Sequence, residues 1–239
     1  MPTLAGKVAV ITGGTRGIGL ATARRLGREG AAVAITSPSD ERLSAAVRDL
    51  EDAGVAATPL RADVRNFEEM QEVCALAASK LGGIDVLINN AGVGVYRPVA
   101  DLTPEEWNLM FDTNVTGMFN ATRAALPHLR ARGGGWIINI SSLSGTNPFA
   151  NGAAYCATKA AVNAFSEALM QEVRHDGIRV SYVAPGSVDT TFGGGGREKR
   201  AWALQPDDVA QVISDLLGYP GRSLPSRVEI RPSQPPRKA

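Results

Sequence analysis

The stretch KVAVITGGTRGIGLATARRLG, at residues 7–27, decides the fold class of this chain. It begins with a short, nearly continuous apolar run, which is typical of a β-strand that is covered on both faces. A glycine-rich turn follows, and the apolar residues after the turn recur with helical spacing. A strand, a tight turn and a helix in this order predict the first part of a βαβ unit.

Short apolar runs of the same kind alternate with longer helical stretches along the chain. They are KVAVIT at 7–12, AAVAIT at 31–36, IDVLIN at 84–89, WIINIS at 136–141 and RVSYVA at 179–184. This rhythm predicts an α/β fold, in which helices cover both faces of a doubly wound, Rossmann-type parallel sheet of about seven strands. We expect a single domain over residues 1–231, because 239 residues can enclose one core.

The composition restricts the partners and sites that the chain can have. Its formal net charge of +1 indicates neither a nucleic acid nor an anionic membrane surface as a partner. No apolar run reaches the roughly 18 to 20 residues needed to cross a bilayer. Cys74 and Cys156 are too few for a disulfide framework, and no leader pattern precedes the first strand, so we expect a cytoplasmic protein. His128 and His175 lack companion ligands, so we predict no metal site.

Two long helices are predicted in the second half of the chain. Thr103, Pro104 and Glu106 form a capping-box pattern, which predicts a helix that runs over about 104–127. A second helix is predicted over about 153–175, and its regularly spaced alanines would allow another helix to approach closely. These helices could pack within the chain or between subunits. We expect a homodimer or a homotetramer.

The turn TGGTRGIG at residues 12–19 has the spacing of a dinucleotide-binding loop. Gly13 permits a tight turn, Gly17 lets the main chain approach a pyrophosphate, and Gly19 lets the helix pack closely on the strand. Free N–H groups at the start of the helix would hold a phosphate. The loop residues that we expect to contact a nicotinamide dinucleotide are Gly13, Thr15, Arg16, Gly17, Ile18 and Gly19.

The end of the second strand favours NADP over NAD as the cofactor. Enzymes that prefer NAD usually place a carboxylate there, which holds the ribose hydroxyls and would repel a 2′-phosphate. Here the strand ends in Thr36 and Ser37, whose hydroxyls could contact the adenosine phosphate together with Arg16. Asp40 leaves NAD open if its carboxylate folds back onto the ribose, although its more ordinary role is to cap the helix that starts near Glu41.

A tyrosine and a lysine lie four residues apart in the segment YCATK at 155–159. On a helix this spacing places the phenol of Tyr155 and the ammonium of Lys159 on one face. A positive charge beside a phenol lowers its pKa, and a shift from about 10 to about 7 would need roughly 4 kcal/mol of preferential stabilisation of the phenolate. We therefore interpret Tyr155 as the group that gives or takes the proton of a reacting carbonyl or alcohol.

Other polar residues are predicted at the same edge of the sheet. Ser142 follows the strand WIINIS, at the edge where open α/β sheets bind ligands, and its hydroxyl could hold the substrate oxygen. Ser141 and Ser144 are alternatives for this role. The sequence NNAG at 89–92 closes another strand, and Asn114 stands inside a helix, where asparagine is a mediocre helix former.

In these motifs the chain resembles the short-chain dehydrogenase/reductase family, up to about Gly186. The signatures that agree in order and spacing are TGGTRGIG at 12–19, Asp63 with Val64, NNAG at 89–92, Ser142 with the YxxxK segment at 155–159, and Pro185 with Gly186. The resemblance implies that Tyr155 is the acid or base, that Lys159 perturbs it and binds the ribose hydroxyls, and that Ser142 polarises the carbonyl. It also implies that Asn114 positions a water in a proton relay.

The resemblance assigns further residues to the cofactor cleft. Asp63 and Val64 would flank the adenine, and Val188 and Thr190 would touch the nicotinamide amide. Beyond the glycine loop, the residues that we expect to bind the cofactor are Ser37, Asp63, Val64, Asn90, Ala91, Gly92, Tyr155, Lys159, Pro185, Gly186, Val188 and Thr190. The implied activity is hydride transfer between NADP and a small carbonyl or alcohol substrate.

The sequence leaves the identity of the substrate open. The glycine loop and the end of the second strand look most similar to family members that reduce 3-oxoacyl groups, while ketones and sugar or steroid alcohols stay open. The positions expected near the substrate are Val93, Gly94, Tyr96, Leu143, Phe149 and Phe192. An NAD-dependent alcohol dehydrogenase is the main alternative function. A non-catalytic dinucleotide-binding protein is a further one.

The segment after the Pro-Gly motif departs from the family pattern. It is brief, and its four consecutive glycines, Gly193–Gly196, favour a mobile lid near residues 191–205. The strand SRVEIRP lacks the glycine-rich ending that is common in the family, so the usual C-terminal contact between subunits is in doubt. Residues 232–239 are rich in proline and charge, and we expect them to be disordered.

Overall fold

The computed structural model of the chain describes residues 4–194 and 200–235. The predicted lid therefore lies partly outside the described residues, at 195–199, and so does the end of the predicted disordered tail, at 236–239. The described residues form a single α/β domain around one parallel sheet, which confirms the predicted fold class.

Seven parallel strands build the sheet. They are β1 (Val8–Ile11), β2 (Ala32–Ser37), β3 (Ala57–Arg61), β4 (Val86–Asn89), β5 (Gly135–Ile140), β6 (Ile178–Pro185) and β7 (Arg227–Ile230). Their order across the sheet is β3-β2-β1-β4-β5-β6-β7, and every neighbouring pair is parallel. All carboxyl ends therefore lie at one edge, where open α/β sheets bind their ligands.

The helices of the described residues form a layer on each face of this sheet. They are α1 (Gly17–Arg28), α2 (Asp40–Asp52), α3 (Phe67–Leu81), α4 (Pro104–Phe111), α5 (Gly117–Ala131), α6 (Ala153–Val173) and α7 (Pro206–Leu217). Buried residues of α1, α2 and α7 pack together in one apolar cluster. Buried residues of α3, α5 and α6 pack together in a second cluster on the opposite face.

The inner strands β1 and β4 are almost entirely apolar because each contributes to both clusters. Ile11 of β1 and Ile88 of β4 belong to the cluster under α1, α2 and α7. Their neighbours Val10 and Leu87 belong to the cluster under α3, α5 and α6. Successive side chains of a strand point to opposite faces, so a strand with helices on both sides needs apolar residues at every position.

The order in which the strands are added to the sheet reverses at β1. This strand pairs with β2 on one side and with β4 on the other. The chain therefore leaves β1 and β4 towards opposite sides of the sheet, and the loops that follow the two strands separate. A crevice forms between diverging loops of this kind in doubly wound sheets. The residues after β1 and β4 are the glycine loop and the NNAG motif.

Side-chain caps fix where α2 and α4 begin. Thr103 Oγ1 accepts a hydrogen bond from Glu106 N at 3.2 Å, and the Glu106 carboxylate accepts one from Thr103 N, which confirms the predicted capping box. The predicted cap at Asp40 is wrong. Ser39 Oγ accepts from Arg42 N at 3.3 Å, because Ser39 is the extended residue before the helix and Asp40 is already in its first turn.

The two long helices of the second half form near their predicted positions. The helix that starts at Pro104 is interrupted by a π-turn at Asp112–Thr116, which separates α4 from α5. This turn places Asn114 at a local widening of the helix, a feature that often accompanies functional sites. The second helix, α6, ends at Val173, and a short 3₁₀ turn follows it.

Both cysteines are buried and neither forms a disulfide. Burial raises the pKa of the Cys74 thiol to about 12, so this thiol stays protonated near neutral pH. Within residues 4–194 and 200–235, no cluster of histidine, cysteine and carboxylate side chains is suited to hold a metal ion. None of the helices in these segments has the length and apolar character that a membrane span requires.

Candidate active site

A cleft of about 870 Å³ lies at the carboxyl edge of the sheet. The predicted site residues that line it are Gly13, Thr15, Arg16, Gly17, Ile18, Ser37, Asp63, Val64, Asn90, Ala91, Gly92, Ser142, Tyr155, Lys159, Pro185, Gly186, Val188 and Thr190. Gly19 and Asn114 do not line the cleft, and their contacts place them behind its wall. The fold therefore brings the predicted nucleotide site together with Ser142, Tyr155 and Lys159 in one cavity.

The glycine loop is packed so tightly that side chains are excluded from it. A Cβ atom on Gly13 would lie 2.9 Å from Ala91 Cα, and Gly13 itself has a φ of +62°. A Cβ atom on Gly19 would lie 2.4 Å from Gly13 O. Gly17, the first residue of α1, also has a positive φ, of +53°. The bare main chain and the N-terminus of α1 form a cradle that fits a pyrophosphate.

Asn90 holds the two loops of the crevice together. Its Nδ2 atom donates to Thr12 O and to Gly13 O, both at 3.0 Å. Thr12 Oγ1 accepts in return from the main-chain nitrogens of Asn90 and Ala91, at 3.0 and 3.1 Å. The Asn90 side chain therefore positions the glycine loop against the NNAG motif, and its amide hydrogens are used within the protein.

Hydroxyl and guanidinium groups surround the end of β2. Thr36, Ser37 and Arg42 line the cleft there, and Arg16 lines it from the glycine loop. Thr36 Oγ1 is fully buried and has no hydrogen-bond partner among the described residues. Arg16 Nη1 donates to Thr191 Oγ1 at 3.2 Å. This arrangement fits an adenosine 2′-phosphate.

Asp40, the alternative ribose ligand, points elsewhere. It does not line the cleft, and its carboxylate lies 3.5 Å from Arg61 Nε in an exposed ion pair. The geometry of Ser39 explains this orientation, because a cap at Ser39 places Asp40 within the first turn of α2. The carboxylate that an NAD-preferring site would need at this place is therefore not supplied by Asp40.

Asp63 and Val64 line the cleft after β3, where an adenine was expected. The Asp63 carboxylate accepts from Arg65 Nε at 3.0 Å, and its main-chain nitrogen donates to Glu69 Oε2 at 2.8 Å. Hydrogen bonding from Arg65 holds the pKa of Asp63 below its ordinary value. Asp63 is therefore an ionised acceptor with a fixed orientation.

Tyr155 and Lys159 lie in the first two turns of α6 and face the same cleft. Lys159 Nζ lies 5.7 Å from the centre of the Tyr155 ring, so the predicted juxtaposition is present. The ammonium itself donates to Ile140 O at 2.8 Å. Burial lowers the pKa of Lys159 to about 8, because desolvation penalises its charged form.

The pKa of the Tyr155 phenol is raised in the structure, whereas the sequence predicts that it is lowered. Burial raises the pKa of Tyr155 well above its ordinary value, and the neighbouring Tyr96 raises it further. The nearby hydroxyl of Ser142 acts in the opposite direction and lowers this pKa. The lowering effect expected from Lys159 is not among these influences, and its ammonium is hydrogen-bonded to Ile140 O. The phenol is therefore a proton donor in this state of the protein.

The three serines of the predicted set have distinct surroundings. Ser142 Oγ accepts from Ser144 N at 3.1 Å and donates to Ser144 Oγ at 3.0 Å, at the cleft surface. Ser141 is buried, and its hydroxyl donates to Asn163 Oδ1 and to Lys159 O. Ser142 is therefore the serine best placed to reach a substrate oxygen, while Ser141 fixes the main chain of α6 beneath Lys159.

Asn114 is buried, and its side chain joins three segments. Its Nδ2 atom donates to Val93 O at 2.9 Å and to Thr158 Oγ1 at 3.1 Å, and its Oδ1 atom accepts from Val93 N at 2.8 Å. Thr158 Oγ1 donates in turn to Tyr155 O at 2.7 Å. Asn114 therefore ties the NNAG loop to the turn of α6 that carries Tyr155, and both of its amide hydrogens are used.

The segment after β6 closes the far side of the cleft. Gly186 N donates to Ile230 O at 2.8 Å, which joins this segment to β7. Val188 O accepts from Arg200 Nη2 at 2.9 Å. The Thr190 side chain stands against the glycine loop, since a Cβ atom on Gly17 would lie 3.2 Å from Thr190 Cγ2. The segment thus covers the cradle that the glycines form.

Some residues of the site have no local signal in the sequence. Arg42 reaches the cleft because Ser39 starts α2 and orients its first turn. Thr12 and Thr158 act through hydrogen bonds to partners far along the chain, 78 and 44 residues away. Trp202 lines the cleft from the segment before α7. Only the hydroxyl at Thr12, at the start of the glycine motif, could have been singled out from the sequence.

Comparisons with known proteins show which family the sequence is similar to. The sequence pattern of the family described as "short chain dehydrogenase" matches residues 7–201. An uncharacterized oxidoreductase of Staphylococcus aureus (strain USA300) is 34% identical over 232 residues, which cover 97% of this chain and 100% of the relative.

Solved structures are similar over nearly the whole chain. An alcohol dehydrogenase from the archaeon Thermococcus sibiricus, complexed with 5-hydroxy-NADP, has a TM-score of 0.89 and 32% identity, with 97% of this chain and 99% of that chain covered. A variant of actinorhodin polyketide ketoreductase with NADPH has a TM-score of 0.88 and 32% identity, with coverage of 97% and 98%. The cofactors in these two structures are of the NADP type.

Proposed function

Because this chain belongs to the short-chain dehydrogenase family, we propose that it is an NADP(H)-dependent oxidoreductase that reduces the carbonyl of a ketone or a 3-oxoacyl compound. The observation that carries the proposal is the meeting of the glycine cradle with Ser142, Tyr155 and Lys159 in one cleft. A nucleotide-binding protein without chemistry would have no use for a phenol, a hydroxyl and an ammonium at the end of its dinucleotide site.

The preference for NADP rests on the groups at the end of β2. Arg42 and Ser37 bring a positive charge and a hydroxyl to this part of the cleft, and Arg16, which donates to Thr191, adds a second positive charge from the glycine loop. A 2′-phosphate needs cations and hydrogen-bond donors, whereas a free ribose diol needs a carboxylate.

The bound nicotinamide would supply the hydride, and the residues of this chain would do the rest. Ser142 donates a hydrogen bond to the carbonyl oxygen, which polarises the carbonyl and fixes its position. Tyr155 Oη gives its proton to the same oxygen as negative charge develops there. In the overall reaction, a carbonyl compound, NADPH and one proton become an alcohol and NADP⁺.

Lys159 is bound to the end of β5 and is the residue that we propose supplies a proton to Tyr155. Its ammonium bridges the cleft and Ile140 O, and its lowered pKa makes loss of a proton accessible near neutral pH. We propose that Lys159 holds the ribose hydroxyls and passes a proton towards Tyr155. Asn114 positions Tyr155 through Thr158, and one free lone pair on its Oδ1 atom could hold the water of a relay.

The proposal extends to the assembly and location of the protein. We propose a homodimer or homotetramer through the second-half helices, because Trp107 of α4 and Phe119 of α5 expose large apolar surfaces. Sedimentation of the wild type and of Phe119→Glu tests this part of the proposal. We also propose a cytoplasmic location, which the two free cysteines support.

Titration with the two reduced cofactors tests the central proposal. Tight binding of NADPH and weak binding of NADH, followed by nicotinamide fluorescence, is the expected result. A panel of ketones and 3-oxoacyl thioesters should then consume NADPH. The reverse cofactor preference would support an NAD-dependent alcohol dehydrogenase. Binding without turnover of any carbonyl or alcohol would support a non-catalytic dinucleotide-binding protein.

A further inference from the structure

Three aromatic side chains form a cluster beside Tyr155, two of them in contact with its ring. The ring of Tyr96 meets Tyr155 edge-on, with centres 5.5 Å apart and an interplanar angle of 78°. The ring of Phe192 lies 5.7 Å from Tyr155, and Phe149 lies 5.8 Å from Tyr96. We call Tyr96, Phe149 and Phe192 the aromatic wall. All three residues line the cleft.

The main chain around the aromatic wall is built to leave room for it. A Cβ atom on Gly94 would lie 2.7 Å from the Phe192 ring, and one on Gly193 would lie 2.5 Å from the Tyr96 ring. A Cβ atom on Gly152 would lie 2.5 Å from the Phe149 ring. Each ring therefore rests against a glycine that a larger residue could not replace without displacing it.

The aromatic wall is incompletely covered by the protein itself. Tyr96 is 42% exposed and Phe149 is 46% exposed, although both line a concave cleft. Exposed aromatic surface beside a reactive group is typical of a binding site, where a ligand completes the packing. The rings are tilted to one another at 48° to 78°, and such edges and faces accept a further aromatic ring at favourable angles.

The position of the wall relative to Tyr155 fixes which part of a substrate would touch it. A carbonyl oxygen that receives the Tyr155 proton must lie within hydrogen-bond distance of its hydroxyl. Groups attached directly to the carbonyl carbon would then lie against rings that are within 6 Å of the Tyr155 ring. Lys159 Nζ lies 5.7 Å from the centre of the Tyr155 ring, and we propose that it serves the cofactor side of the cleft.

We propose that the aromatic wall selects neutral ketones that carry an aryl group on the reacting carbon. This inference rests on the proposed reductase function and narrows its substrate class. Aryl ketones are planar, so one ring can stack against Tyr96 and Phe149 while the carbonyl oxygen reaches Ser142 and Tyr155. A linear 3-oxoacyl chain would cover little of the wall.

A pair of ketones with the same skeleton tests the proposal. Acetophenone and cyclohexyl methyl ketone both join a six-membered ring to an acetyl group, and they differ in the aromaticity of that ring. Their intrinsic reactivities differ, but this difference cancels when the ratio of their kcat/KM values is compared between variants. The variants are Tyr96→Leu and Phe149→Leu, with Tyr219→Leu as the control. Tyr219 is an exposed aromatic residue outside the cleft.

The expected result is a loss of aryl selectivity. Tyr96→Leu and Phe149→Leu should each lower the acetophenone to cyclohexyl methyl ketone ratio by about two- to tenfold, and Tyr219→Leu should leave it unchanged. Tyr96→Phe keeps the ring and should keep the ratio. An unchanged ratio in both leucine variants would overturn the inference. So would faster turnover of an acetoacetyl thioester than of acetophenone by the wild type.

The outcomes separate this inference from the function on which it rests. Wild-type protein that binds NADPH and reduces both ketones, with a ratio that the leucine variants do not change, contradicts the aromatic wall alone. Reduction of other carbonyls but of neither ketone also contradicts the wall alone. Failure to bind NADPH, or to reduce any carbonyl, contradicts the reductase proposal itself.

Discussion

Lys159 Nζ lies 2.8 Å from Ile140 O, so a buried lysine of α6 is bound directly to the end of β5. The contact places an ammonium in a desolvated position, and burial lowers its pKa to about 8. In the unfolded chain the same group has its ordinary pKa of 10.5. This difference couples the protonation of Lys159 to the stability of the fold.

The first prediction concerns the pH dependence of stability. Between about pH 8 and pH 10.5 the unfolded chain keeps the Lys159 proton while the folded protein loses it, so folding gains free energy as pH rises. The free energy of unfolding of the wild type should therefore rise relative to Lys159→Met by up to about 1.4 kcal/mol per pH unit in this window. Denaturant unfolding at pH 7.5, 8.5 and 9.5 measures it. If the free energies of unfolding of the two proteins differed by the same amount at all three pH values, burial would not lower the pKa of Lys159.

The second prediction concerns the choice of cofactor. Arg16→Ala and Arg42→Ala should each raise the Kd for NADPH by about tenfold, or about 1.4 kcal/mol, because each removes a cation from the proposed 2′-phosphate site. The Kd for NADH should change little. Arg61→Ala is the matched control, since Arg61 pairs with Asp40 outside the cleft. An equal rise in the Kd for NADPH and in the Kd for NADH would show that the two arginines do not contact the 2′-phosphate.

The third prediction concerns the packing of the glycine cradle. Gly19→Ala should lower the free energy of unfolding by about 1–3 kcal/mol and weaken NADPH binding, because its Cβ atom would lie 2.4 Å from Gly13 O. Gly221→Ala is the control, since a Cβ atom there would meet nothing within 4 Å. Urea unfolding and cofactor titration check both effects. Wild-type behaviour of Gly19→Ala would show that the loop is not packed as described.

The fourth prediction concerns the second phenol of the site. Tyr96 raises the pKa of Tyr155, so Tyr96→Phe should lower that pKa. Tyr155 must be protonated to reduce a carbonyl, and the fall of kcat/KM at high pH should therefore begin at lower pH in the variant. A pH profile of ketone reduction checks this shift. If the fall of kcat/KM began at higher pH in the variant than in the wild type, Tyr96 would lower the pKa of Tyr155, and the prediction would be wrong.

The sheet and the glycine loop could be predicted because their signals are local. Four-residue and six-residue apolar runs mark buried strands, and the spacing of Gly13, Gly17 and Gly19 marks the loop. β3 could not be named from its residues, since it lies at the edge of the sheet and contains Pro59, so it has no continuous apolar run. The edge position that permits a proline is a property of the assembled sheet.

The hydrogen bonds of the site join residues that are distant in the sequence, so they could not be predicted from local patterns. The spacing of Tyr155 and Lys159 predicts a shared helix face, but the sequence does not show that Ile140 O takes the ammonium. Asn114 stands out as an unusual helix residue, yet its bonds to Val93 and Thr158 depend on how three segments meet. Such partners can be identified only when the fold is known.

The substitution Tyr155→Phe removes the proposed proton donor and leaves the glycine cradle intact. In this variant kcat/KM for ketone reduction should fall by at least about 100-fold, because the proton donor is lost, while the Kd for NADPH should stay within about twofold of the wild type. Tyr219→Phe, outside the cleft, should retain full activity. Turnover by Tyr155→Phe close to that of the wild type would show that another group gives the proton, and would contradict the account.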